Sequence, residues 1–279
     1  MQLTPRYGTE PLITLDGSPR DIAEPAIRQR LRLATTLATF TEEQWAHHSR
    51  CEGWSNRDVI VHLDSTNSFW AFTISEGLRG APTQFLATFD PVTSPAQLVT
   101  GASDRRTEEV LASFTASAAA LTDLWVALGD DGWAATAEAP PGHVSISTVT
   151  HHALWDSWVH ERDILLPLGI AAAEEADEIA ACLRYAAALG PALAVNNGTA
   201  LRGLLGINVT QPSVSAVVEV GDHVHVGSTA DTAPDVTLTG GAVALLEALS
   251  IRMPLEQSIP EEHRWMLTGL AEVFDVAQP

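Results

Sequence analysis

The stretch HHALWDSWVHERDILLPLG, His151 to Gly169, decides the fold. Trp155, Trp158, Ile164 and Leu165 recur at helical intervals, and Pro167 with Gly169 supplies a stop. The segment therefore reads as one long helix from about residue 145 to 166. At 100° per residue Asp156 and His160 differ by about 40°, and Asp163 returns to within about 20° of Asp156. His152, Asp156, His160 and Asp163 thus share one stripe of a helix that is otherwise rich in apolar residues. A helical bundle can turn such a stripe inward and build a site from facing helices.

Upstream, apolar residues from Ile22 to Phe40 repeat with helical spacing, after an irregular lead-in of about twenty residues. A second helix opens at Ser55, where Asp58 three residues later completes a capping-box pattern, and ends near Gly77 or Gly80. Ser103 to Leu128 predicts a third, and Asp130 to Val144 a loop. A fifth, Ala-rich helix follows from Ala173 to Leu189. Near residue 200 the period changes. Ser213 to Val220 and His223 to Gly227 read as a hairpin around Gly221-Asp222, and Pro234 to Thr239 as another strand. Ala242 to Ser250 and Glu261 to Phe274 read as closing helices. The expectation is an α+β protein: a helical bundle over 1–200 and a small α+β domain over 201–279.

Composition narrows the function. With 279 residues and 46% hydrophobic content the chain can bury a sizeable core. Its 35 acidic and 15 basic residues give a net charge of −20, a field that opposes nucleic acid and anionic lipid. No run of 18 apolar residues and no secretion signal is visible, and two cysteines cannot form a disulfide framework. A cytoplasmic protein without nucleic-acid or membrane partners, monomeric or homodimeric, is the expectation.

The second helix carries His62, four residues after Asp58. Facing the stripe of the fourth helix, His62, Asp156 and His160 would offer two imidazoles, one carboxylate and an open position, a catalytic-zinc donor set. From spacing alone, a hydrogen-bonded histidine on a polar stripe satisfies the same D-x-x-x-H step. Asp58 reads as a helix cap or as a partner of His62. Cys51 lies eleven residues before His62, and its place in a capping turn gives no reason to expect it at the site. Cys182, in ACLRYAAAL, reads as a buried and inert thiol.

Three segments carry a resemblance. CEGWSNRDVIVHL, Cys51 to Leu63, resembles the Cys-x-Gly-Trp … Arg-Asp-Val … His-Leu signature of the mycothiol-dependent maleylpyruvate isomerase family. DSWVHERDILLPLG, Asp156 to Gly169, is similar to that family's Glu-x-x-x-His … Asp-Leu … Gly segment, and PDVTLTGGAVALLEAL to its C-terminal strand and helix. The resemblance implies a DinB-like up-and-down four-helix bundle with a small sterol-carrier-like α+β domain. It further implies one divalent metal, usually zinc, and mycothiol, a thiol of actinobacteria, as cofactor or cosubstrate. The family's histidine ligands map to His62 and His160, and its carboxylate ligand, normally Glu, to Asp156. Aspartate is one methylene shorter: it draws the metal toward the fourth helix or fails to reach it, with His152 as a substitute. Arg252, in SIRMP, matches a basic position of the family and is the candidate catalytic residue, binding an anionic group of substrate or cosubstrate. The implied activity is S-transfer to, or thiol-assisted cis–trans isomerisation of, a small electrophile. A non-catalytic carrier of a small ligand and a metal-dependent hydrolase are the rival readings.

Overall fold

The computed structural model describes residues 3–274. In chain order the first part comprises β1 (Ile13–Leu15), α1 (Ala23–Leu37), α2 (Glu42–Ala46), α3 (Asn56–Leu78), α4 (Thr93–Gly101), α5 (Thr107–Ala127), α6 (Asp130–Ala134), β2 (Thr136–Ala139), β3 (Gly142–Ser145) and α7 (Ile146–Leu165). Then come α8 (Ala176–Asn196), β4 (Gly203–Thr210), β5 (Val214–Val220), β6 (Val224–Gly227), β7 (Val236–Gly241), α9 (Ala242–Leu249) and α10 (Trp265–Phe274). Helices α1 and α3 each pack against both α5 and α7. The α+β architecture expected from the sequence is the architecture found.

Local chemistry explains the two helices that matter most. At α3 the Ser55 side chain accepts from the Asp58 amide while the Asp58 carboxylate accepts from the Ser55 amide, a reciprocal capping box. At α7 Ser145 Oγ caps the Thr148 amide, and the helix gives way before Pro167 and a left-handed Gly169 (φ 70°). Every α7 residue except His151 and Asp156 is buried, so its polar stripe faces protein on all sides.

Helix α8 joins the two parts. It packs on α7 in the bundle and on β5, β6, α9 and α10 on the other side. The sheet has the order β1-β6-β5-β4-β7, with β5 antiparallel to β4 and β6, and parallel pairs at both edges. One apolar core runs from Trp158 and Leu154 through Tyr185 and Leu189 to Val218, Leu246 and Leu270.

Three expectations are corrected. The lead-in is not wholly irregular: Leu12 and Ile13 are fully buried, and β1 adds an edge strand to the C-terminal sheet. The expected third helix is shorter, starting at Thr107, and is preceded by a separate α4. The expected loop over Asp130 to Val144 contains α6 and the β2–β3 hairpin. Its strands are only four residues each, and Ala and Glu in TAEA give little strand signal. Beyond these corrections, α5 and α8 are each long and apolar enough by length and composition to cross a membrane, although no unbroken apolar run exists. In α8 most of that surface is core, packed between bundle and sheet.

The α8–α10 crossing depends on two glycines. A Cβ added at Gly269 would overlap the Gly190 carbonyl oxygen. Mid-helix glycine costs roughly 1 kcal/mol relative to Ala, so its presence here is repaid by close approach. We expect Gly269→Ala to lower unfolding free energy by about 1–3 kcal/mol in urea titration, because the helices must separate. A change below about 0.5 kcal/mol would show that the crossing tolerates a methyl group.

Candidate metal centre

Helices α3 and α7 bring His62, Asp156 and His160 together. One Asp156 oxygen, Oδ1, lies 3.8 Å from His62 Nε2 and 3.6 Å from His160 Nε2. Those distances exceed a hydrogen bond, so none of the three donors satisfies another. The two imidazole rings meet edge to face at 5.0 Å, and Trp54 leans on His62 from outside the pair. Asp156 Oδ2 is buried with no hydrogen-bond partner, the only carboxylate oxygen in that position among the described residues. Zinc bonds of about 2.0–2.1 Å set neighbouring ligand atoms about 3.3 Å apart in a tetrahedron, so small inward shifts complete the set. The shorter aspartate therefore reaches both imidazoles. Two imidazoles and a carboxylate, with one orphaned oxygen, fit a zinc-like divalent cation.

The electrostatics agree with the geometry. Burial alone would raise the Asp156 carboxyl, but the His62 and His160 imidazoles outweigh it and hold it well below the usual carboxylate range. Burial would push His160 down; the Cys51 sulfur, Asp163 and Asp156 overcome this and raise it to about 10. The cluster thus favours positive charge between its carboxylates. A divalent cation would supply that charge and displace the imidazole proton.

His152 stands apart. Its Nδ1 pairs with the Tyr185 hydroxyl at 2.8 Å, and its ring packs among Trp70, Trp155 and Tyr185. Burial dominates and pushes its pKa down to about 4, leaving a neutral structural histidine. It is absent from the converging donor groups found among the described residues. Asp58 remains with its cap, on Ser55.

Behind His160 lies a second layer that sequence spacing did not reveal. His160 Nδ1 is 3.0 Å from Asp163 Oδ2, so the ring is held between two carboxylates. Cys51 Sγ donates to the same Asp163 oxygen at 3.3 Å and sits 3.6 Å from His160 Nδ1. The expectation that Cys51 lies away from the site is thus corrected. The turn from Ser49 to Trp54 docks on the end of α7 through the Arg50 amide, which donates to the Asp163 carbonyl at 3.0 Å. Gly53, at φ +76°, supplies the left-handed residue that closes this turn.

Arg252 was singled out as a cation for an anionic group, and the structure engages it elsewhere. Its Nε and Nη2 donate to Asp163 at 2.8 to 3.1 Å, and Nη1 donates to the Ser250 carbonyl. Ile251 just before it takes φ +54°, a left-handed conformation that costs a β-branched residue on the order of 1–2 kcal/mol. That strain turns Arg252 back onto Asp163.

Fold and side chains together define a class: a helical bundle, with two histidines and one carboxylate converging between α3 and α7, joined to an α+β unit. Residues 27–165 match the family model of the mycothiol maleylpyruvate isomerase N-terminal domain, and through this stretch the chain belongs to that family. Two solved structures share the fold: the mycothiol-dependent maleylpyruvate isomerase, at 17% identity, and a mutant of it, at 16%. Each has a TM-score of 0.61, with 87% of this chain and 95% of the other covered. No protein of curated function matches the chain.

Purified protein should hold close to one equivalent of zinc. His160→Ala and Asp156→Asn should each weaken zinc binding at least about tenfold by chelator competition, whereas His152→Ala should change it less than about threefold. Equal metal in wild type and His160→Ala would remove His160 from the site.

Proposed function

We propose that this chain is a metal-dependent enzyme that uses a low-molecular-weight thiol of the mycothiol type on a small electrophilic substrate. The observation that carries the reading is the convergence of His62, Asp156 and His160 around an orphaned, buried Asp156 oxygen. Membership of the mycothiol maleylpyruvate isomerase N-terminal domain family supports the thiol, and so does the activity named for the solved neighbours. A divalent cation held by these three side chains supplies Lewis acidity that deprotonates a thiol at neutral pH.

The chain's own groups do the positioning. Asp163 accepts from His160 Nδ1–H and so directs Nε2 toward Asp156, where a bound cation would replace the Nε2 proton. Trp54 confines the His62 ring. The attacking sulfur comes from solution, because Cys51 is engaged by Asp163 and Cys182 is fully buried, with burial pushing its thiol well up. Addition of the thiolate to an enone carbon, rotation about the resulting single bond and elimination isomerise the alkene and return the thiol. Displacement at an electrophilic carbon instead transfers sulfur. The donor set serves both, and the substrate pocket selects between them.

We also propose a functional division near residue 200. The metal donors come from 1–200, while 201–279 contributes Arg252 and Glu247 to their support. Arg252 then acts through Asp163, and Glu247 through Arg50, as positioning residues.

The test is turnover of activated enones and thioether-bearing electrophiles by zinc-loaded protein, with and without mycothiol. Turnover is expected only with thiol, and His160→Ala should lower kcat/KM by at least about 100-fold, on the order of 3 kcal/mol. Metal-dependent turnover without thiol would overturn the reading in favour of a hydrolase. Tight binding of an apolar ligand without turnover would favour a carrier.

A further inference from the structure

Asp163 has no exposed side-chain surface, yet it meets partners from three separate segments. On its own helix it accepts from His160 Nδ1 at 3.0 Å. From the turn before α3 it accepts from Arg50 Nε at 2.9 Å and from the Cys51 thiol at 3.3 Å. From the segment after α9 it accepts from Arg252 Nε and Nη2. Arg50 continues to Glu247 on α9 at 2.8 Å, and Glu247 accepts from Arg162 on α7 at 2.6 Å. One chain of charges thus runs from the His160 ring to α9. On the opposite face, His160 Nε2 looks at Asp156 and His62.

A histidine that binds metal through one nitrogen commonly donates its other N–H to a carboxylate, which fixes the tautomer and ring orientation. Asp163 can do this only while its remaining lone pairs are held by cations, since a buried carboxylate with an unmatched oxygen would turn or draw in water. We infer that Asp163 is the positioning residue of the metal centre, and that Arg252 and Glu247 make the zinc affinity of the bundle depend on the docked C-terminal segment. This rests on the proposed centre at His62, Asp156 and His160. The coupling is structural: Arg252 touches Asp163, Asp163 touches His160, and nothing in it requires Arg252 to contact substrate.

The experiment measures zinc affinity of the full chain by competition with a chromophoric chelator, alongside ¹⁵N NMR of the His160 ring. Wild type and His62→Ala come first. Absent zinc binding in wild type, or equal binding in both, overturns the metal centre and this inference with it. A zinc-binding wild type with a weakened His62→Ala isolates the question of Asp163. Asp163→Asn should then bind zinc 10- to 100-fold more weakly, with the apo His160 tautomer shifted away from Nδ1–H. Arg252→Gln should weaken zinc several-fold, and Arg252→Lys should recover much of that loss. Folded Asp163→Asn with zinc affinity within twofold of wild type overturns the inference. If Asp163→Asn does not fold, Arg252→Gln decides: wild-type affinity there overturns the coupling, and a loss recovered by Arg252→Lys supports it.

Discussion

A carboxylate removed from water is costly unless cations and N–H donors replace its hydration, and Asp163 is such a carboxylate. Arg50, Cys51, His160 and Arg252 supply the replacements, from three different local structures. Burial raises an acid, but the surrounding imidazole and guanidinium groups win here and keep Asp163 far below the usual range. Losing one of these cations would leave the buried carboxylate less fully matched, and losing all of them would approach the loss of about 3–5 kcal/mol of a broken buried pair. The Ser49–Trp54 turn, the end of α7 and the segment after α9 are therefore fixed relative to each other by one side chain.

The same requirement applies along α7, which crosses the interior with Arg, Glu, His and Asp on it. Glu161 is met by Arg32 and Gln29, and Arg162 by Glu247 and the face of Trp158. Fully buried Arg30 bonds Asn67, Gln29 and the Ala153 carbonyl, all neutral. Burial dominates there and lowers its pKa to about 10, while the Asp156 charge partly offsets that effect. Ser157 Oγ and Trp158 Nε1 on α7 are also buried without partners, but they are neutral. Among the described charged groups the unmatched Asp156 oxygen stands out as one that folding alone does not account for.

Much of this was legible in the sequence. Helical spacing placed His152, Asp156, His160 and Asp163 on one stripe, and the Ser55–Asp58 box fixed the start of α3, so His62 could be set opposite them. Periodicity reports which residues share a face, and that sufficed for donors lying on two long helices. It does not report which loop docks against a helix end. Cys51, Arg50 and Arg252 reach Asp163 through a glycine-closed turn and a strained residue at Ile251, and neither leaves a periodic signal. The family resemblance marked Arg252 as functional, but only coordinates show that it acts on a carboxylate. Separating His152 from His160 likewise needed Tyr185, a partner 33 residues away on α8.

His160 is thus bounded on both ring nitrogens by carboxylates that differ in kind. Asp163 is saturated with cations and can only hold; Asp156 has an oxygen to offer and can bind. A ring set between a saturated and an unsaturated carboxylate keeps its proton on the saturated side when a cation arrives on the other. That asymmetry gives the bundle a directional donor without a rigid loop around it. It also ties the helical bundle to the α+β unit, since the cations that saturate Asp163 come partly from the segment after α9. Were Asp163 matched only from within α7 and its own turn, the C-terminal segment could be lost without disturbing the ring. With Arg252 on Asp163 and Glu247 on Arg50, the geometry of the centre and the docking of the C-terminal segment are one constraint.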